Sequence, residues 1–270
     1  MIQRGSGPPL VFIPGIVGRW EWLERAVEAL AASHRVLTFS LNDVHGPRIF
    51  DLWSEHIDDM LDSIPCETTP VLGVSFGGLI AAYYAATRPR RVSRLVLVST
   101  PAPGWRIDNR TARLARRPRV LFPIFAWHAV CQIRPEISAA VPAATARVAL
   151  AAYHTALAVT CPLSPSKMAG WATQCAETDL ATPLATIRTP TLVLTGEAAL
   201  DRVVPVASSL EYLSLIPGST HAVLERTGHL GFATRPHEFA RLVAHFTLGS
   251  SAERATDRPW TSRSAGSPAR

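Results

Sequence analysis

Short apolar runs, each bounded by turn-forming residues, recur along the chain with stretches of helical spacing between them. The runs are Leu10 to Ile13, Arg35 to Leu41, Pro70 to Val74, Arg94 to Ser99, Thr191 to Gly196 and Thr220 to Glu225. Apolar on consecutive positions rather than on alternate ones, they predict strands buried on both faces, as in a parallel sheet covered by helices. Helical spacing covers residues 19 to 32, 50 to 63, 76 to 87, 204 to 214 and 236 to 247. The alternation breaks once: between Ser99 and Thr191 about ninety residues rich in Ala, Pro and Arg show helical stretches and no strand signal. The expected architecture is α/β, a mostly parallel doubly wound sheet with an inserted helical cap. Residues 1–103 and 186–248 form its core and residues 104–185 the cap. From residue 249 to 270, Ser, Arg, Ala and Pro without periodicity predict a disordered tail.

Composition narrows the function classes. With 47% hydrophobic and 18% charged residues over 270 positions, the chain has ample apolar material for a core. The net charge of +6 does not predict a nucleic-acid partner, because the basic residues are nearly all arginine, with Lys167 the one lysine. The densest patch, Arg106, Arg110, Arg113, Arg116, Arg117 and Arg119, lacks interleaved aromatics and reads as a solvated helix face. Cys66, Cys131, Cys161 and Cys175 are irregularly spaced and match neither a zinc site nor a disulfide framework, so free thiols in a cytoplasmic setting are expected. The N-terminus carries no apolar segment of the secretory kind. The apolar, Ala-rich stretch 139–160 is broken by Arg147 and His154 and reads as a buried or lid helix rather than a membrane span.

Chemistry concentrates at the ends of the predicted strands. Gly73-Val74-Ser75-Phe76-Gly77-Gly78 joins a buried strand directly to a small-residue helix, the setting of a nucleophile elbow. So sharp a turn forces Ser75 into a strained conformation and holds its hydroxyl above the sheet. The Phe76 amide falls at the helix N-terminus, where it can stabilise an oxyanion. His229, after the last strand and flanked by Gly228, suits a general base; His221 lies within a strand and His237 at a helix start. Two carboxylates, Glu197 and Asp201, follow the strand ending at Thr195, and order alone does not choose between them. Asp201 is further out and precedes Arg-Val-Val-Pro; its ordinary alternatives are a helix cap or a pair with Arg202. Gly15 turns the chain away from the first run, so that the Ile16 amide becomes the second oxyanion donor, although a plain Pro-Gly turn would look the same.

Together, Pro14-Gly15-Ile16, the Ser75 turn, Asp201-Arg202-Val203-Val204-Pro205 and Gly228-His229 resemble the α/β-hydrolase superfamily over nearly the whole ordered chain. The resemblance implies Ser75 as nucleophile, His229 as base and Asp201 as the acid that orients it, in the family's chain order. This sequence departs from the family pattern in having Pro14 where a histidine is usual. It also departs in having only nine residues before Leu10, where the family has two strands. Either the start lies upstream or the first two family strands are missing, and in the second case the uncovered edge would invite a homo-oligomer.

The implied reaction is hydrolysis of a carboxylic ester of a small to medium apolar molecule through an acyl-enzyme, with no metal or organic cofactor and no membrane partner. Trp105, Phe122, Phe125, Trp127 and Trp171 offer an apolar acyl pocket, Trp127 and Trp171 above all, unless they pack the cap's own core. The alternatives are a C–C bond hydrolase, peptidase or perhydrolase with the same residues, and a ligand-binding protein that keeps the fold without turnover.

Overall fold

The computed structural model describes residues 1–105 and 118–249. Seven strands form one sheet in the order β1-β3-β2-β4-β5-β6-β7. They are β1 (Ile2–Arg4), β2 (Pro9–Ile13), β3 (Arg35–Thr38), β4 (Thr69–Val74), β5 (Val92–Val98), β6 (Thr191–Thr195) and β7 (Thr220–Val223). All neighbours are parallel except β1 on β3. Between the strands run α1 (Glu24–Ala31), α2 (Ile49–Asp62) and α3 (Phe76–Thr87). After them come α4 (Pro118–Ala140), α5 (Ala144–Thr160), α6 (Pro165–Glu177), α7 (Ala181–Leu184), α8 (Val206–Leu215), α9 (Gly231–Thr234) and α10 (Pro236–Leu248).

The alternation of side chains along each strand explains the two layers. Val11, Ile13, Leu95 and Leu97 face one way and pack with Trp53 and Ile57 of α2 and Leu79 and Ile80 of α3. Leu10, Phe12, Val96 and Val98 face the other way and pack with Val27 and Leu30 of α1 and Phe239 and Val243 of α10. Both faces of β2 to β6 are thereby dry, which is why those strand sequences are mostly apolar, whereas β7 at the far edge is mostly exposed.

All six expected strands are present, and β1 is added to them. Ile2–Arg4 pairs antiparallel with Val36–Thr38 and covers the edge expected to lie bare, so among the described residues a strand does precede β2. At three residues, with only Ile2 partly buried, it offers no apolar run to read. Between β5 and β6 the described residues hold helices α4 to α7 and no strand. Helix α5, on the stretch 139–160 expected to be a buried or lid helix, is not a buried one. Only Leu150 and Leu157 are buried along it, while Val148 and Val159 are 69% and 76% exposed, so it rides on the outside with two anchoring leucines. The arginine stretch 106–117 and the tail from residue 250 lie outside the described residues. Among the described residues no helix is long and apolar enough to cross a membrane.

Candidate active site

The strand order reverses between β2 and β4, and the crevice at the carboxyl ends of two such strands is where α/β sheets place ligands. Ser75 follows β4 there and the Pro14-Gly15-Ile16 loop follows β2; Ile13 and Gly73 are paired in register at that end. Ser75 has φ 54 and ψ −122, a conformation that a side chain seldom adopts, held between strand and helix. Its amide donates to the Val98 carbonyl of β5 at 2.7 Å. Of the turn's residues it alone is partly exposed; Val74 and Phe76 on either side are buried.

Glycine is required where chains touch. A Cβ on Gly77 would meet the Ile13 carbonyl at 2.5 Å, so only glycine lets α3 start against the end of β2. At Gly15 a Cβ would stand 3.5 Å from the Ser75 Cβ, which places the loop directly beside Ser75. The Gly18 amide closes this loop on the Gly15 carbonyl at 2.8 Å. The Ile16 amide, at the first corner, takes no part in that closure. Phe76 is the first residue of α3, where an amide has no helical acceptor.

The acid and the histidine arrive from the loops after β6 and β7. The Asp201 side chain is 1% exposed, with Oδ1 accepting the amides of Val203 at 3.1 Å and Val204 at 2.9 Å and Oδ2 standing 3.4 Å from His229 Nδ1. The chain after Asp201 thus folds back on the carboxylate, leaving Arg202 exposed, and the second oxygen is aimed at the imidazole. Glu197 is employed otherwise: its Oε1 accepts the Arg226 amide at 2.6 Å. Close approach again depends on glycine, since a Cβ on Gly228 would meet the Leu200 carbonyl at 2.5 Å and the Asp201 amide at 2.8 Å. His221 bonds the Thr195 hydroxyl from within β7, 2.9 Å away, and His237 lies at the start of α10.

A model of the alpha/beta hydrolase family matches residues 10–242. The chain belongs to this family. It is 30% identical over 251 residues to a pimeloyl-[acyl-carrier protein] methyl ester esterase of Aliivibrio salmonicida (strain LFI1238), across 90% of this chain and 93% of that one. It is 26% identical over 267 residues to a 2-hydroxymuconate semialdehyde hydrolase of Pseudomonas sp. (strain CF600), across 93% and 90%. An esterase from Exiguobacterium antarcticum shares the fold with a TM-score of 0.73 at 19% identity, over 92% of this chain and 94% of that one. By family, then, this alpha/beta hydrolase is a hydrolytic enzyme.

The helices between β5 and β6 treat the two tryptophans of the expected pocket differently. Trp171 of α6 is buried, its ring against Gly18 and edge-on to Trp53 with centroids 5.9 Å apart. It therefore backs the Ile16 loop. Trp127 of α4 is 71% exposed on the outer face with Val120 and Ile124, so among the described residues it lines no enclosed pocket, contrary to expectation. These residues recur at helical spacing along one solvent-facing stripe, and an apolar stripe alone does not tell inside from outside. A hollow of about 350 Å³ lies on the same helix along Cys131, Arg134, Pro135 and Ser138.

One residue at the site escaped the sequence reading. Glu136 of α4 is 1% exposed, and its Oε1 accepts the Leu230 amide at 2.7 Å. Burial pushes this carboxyl up to about 7, and the amides of Gly228 and Leu230 oppose the shift in part. Its signal was available: Glu136 is the sole acidic residue between Asp108 and Glu177.

Proposed function

We propose that this alpha/beta hydrolase is a serine hydrolase that cleaves a carboxylic ester of a small to medium apolar substrate through an acyl-enzyme. The observation that carries the reading is the strained Ser75 at the β4–α3 junction, with the Asp201–His229 pair at the same sheet end. Ser75 Oγ adds to the ester carbonyl carbon as His229 Nε2 takes its proton, and Asp201 holds Nδ1 and stabilises the imidazolium. The carbonyl oxygen, now anionic, receives the Phe76 and Ile16 amides. Collapse breaks the bond to the alkoxy group, which leaves as the alcohol with the proton from His229. Water, deprotonated by the same imidazole, then attacks the acyl-enzyme and releases the acid and Ser75. The chemistry asks for no metal or organic cofactor.

The buried rings of Phe76, Trp53 and Trp171 form an apolar backing for the Ile16 loop. Residues 104–185 act as the cap in this reading, and cysteines held as thiols rather than disulfides fit work in the cytoplasm on a small molecule. A panel of p-nitrophenyl esters of increasing acyl length, given to the wild type and Ser75→Ala, tests it. Turnover by the wild type alone is expected, and equal turnover by the variant would refute it. A second reading, C–C bond hydrolysis with the same residues, is favoured by the name of the 2-hydroxymuconate semialdehyde hydrolase relative. Turnover of 2-hydroxymuconate semialdehyde with the ester panel untouched would select it.

A further inference from the structure

A glutamate buried under a helix needs a reason to be there, because removing a carboxylate from water is costly unless it is bonded and paired. Glu136 sits in α4, in the segment between β5 and β6, yet its side chain reaches the loop after β7. There it accepts the Leu230 amide at 2.7 Å, and the Gly228 amide is directed at the same carboxylate. One carboxylate thus grips the backbone on both sides of His229. The charged groups acting on it are His229, which attracts it when protonated, and Asp201, which repels it.

We propose that Glu136 is a positioning residue: from the cap it clamps the backbone flanking His229 and sets a second negative charge beside the imidazolium formed in each half-reaction. The inference rests on the serine-hydrolase reading. Asp201 orients the ring through Nδ1 at 3.4 Å, a long contact that leaves freedom in the ring's placement. Glu136 limits that freedom by fixing the main chain that carries the ring. Other ties hold the same helical segment to the core, from Tyr153 to Glu24 at 2.7 Å, Trp22 to the Cys161 carbonyl at 3.2 Å and Lys167 to the Asn42 carbonyl at 3.1 Å. Glu136 alone among these four ties ends beside the imidazole. Cap seating and base placement are therefore linked through a single side chain. Since burial lifts this carboxyl to about 7, its charge is present above neutrality and lost in mild acid.

Glu136→Gln keeps the size and an acceptor oxygen but removes the charge, and Glu136→Ala removes both. On a short p-nitrophenyl ester, kcat of Glu136→Gln should fall about tenfold above pH 8, the size of one charge-assisted hydrogen bond, with KM little changed. Below about pH 6, where the wild-type carboxyl is itself protonated, the two should converge. The rate of Ser75 phosphonylation by a fluorophosphonate should follow the same pattern. A ratio of wild type to Glu136→Gln that stays constant with pH, or a folded Glu136→Ala with wild-type kcat, would overturn the inference. Should the wild type fail to label at Ser75, the serine-hydrolase reading falls instead. The clamp is then read without activity, from the amide shifts of Gly228 and Leu230 between pH 5.5 and 8.5. Wild type should show a titration near pH 7 that is missing from Glu136→Gln, and coincident curves would overturn the clamp.

Discussion

Glu197 accepts the Arg226 amide at 2.6 Å, and Arg226 is one of the few residues other than glycine with a positive φ, at 57. The earlier of the two carboxylates after β6 thus braces the turn that delivers His229, while the later one, Asp201, meets the imidazole. Both sit in one loop because the Glu197 carbonyl also accepts the Leu200 and Asp201 amides, at 2.9 and 3.0 Å, curling the chain back toward His229.

This division of labour separates two substitutions. Asp201→Asn should reduce kcat about ten-thousand-fold, because the wrong imidazole tautomer is then favoured. Glu197→Gln, which retains an acceptor for the Arg226 amide, should keep most activity. Glu197→Ala should cost about 1 kcal/mol of stability through the unbraced turn. Ester kinetics with circular dichroism as a folding control decide it; a dead Glu197→Gln with an active Asp201→Asn would exchange the roles.

The strain at Ser75 is measurable apart from activity. Ser75→Ala keeps a side chain at φ 54 and so keeps the strain, whereas Ser75→Gly relieves it. Strain of about 1–3 kcal/mol, less the entropy glycine adds to the unfolded chain, leaves Ser75→Gly about 1 kcal/mol more stable than Ser75→Ala. Both variants should be inactive and unlabelled by a fluorophosphonate. Equal urea midpoints for the two would show that the turn stores no strain.

Trp127 and Trp171 should behave in opposite ways. Trp127→Ala removes a ring that is 71% exposed and should change stability by no more than about 0.5 kcal/mol, with acyl-length preference unaltered. Trp171→Ala opens a cavity against Gly18 and Trp53 and should cost about 3–5 kcal/mol. It should also slow every ester, since the Ile16 loop loses its backing. A Trp127→Ala enzyme with shifted chain-length preference would return that residue to the substrate path.

These contrasts mark what the sequence could show. Strands β2 to β6 were legible because burial on both faces leaves nearly unbroken apolar runs, and the positions of Ser75 and His229 at the sheet end because turn and glycine residues stand next to them. β7, mostly exposed at the other edge, was marked only by its short run. β1 was not legible, since three residues at an edge bury almost nothing. Helices α4 and α5 have apolar residues on faces that point to solvent, so periodicity found the helices but misjudged their sides. Glu136 was missed because its contact with Leu230 joins residues 94 positions apart and depends on how α4 lies over the sheet end.

The same Glu136 should make stability depend on pH with a sign opposite to that of a salt-bridged carboxylate. Its folded value is raised from the ordinary 4.5 to about 7, so over that range the folded protein binds more protons than the unfolded chain. Its contribution is fully present below about pH 4.5 and is lost as pH rises through about 7. The raised value corresponds to about 3 kcal/mol at most, by order of magnitude, at 1.36 kcal/mol per unit. Glu136→Gln abolishes this ionisation. Urea unfolding should therefore find the variant more stable than wild type at pH 8, with the gap closing as the pH is lowered toward 5. A variant no more stable than wild type at pH 8 would mean that the buried carboxylate is well compensated there. If both expectations hold, the enzyme gives up stability above neutrality to keep a charge beside His229, and Glu136→Gln becomes the slower and the sturdier protein in the same pH range.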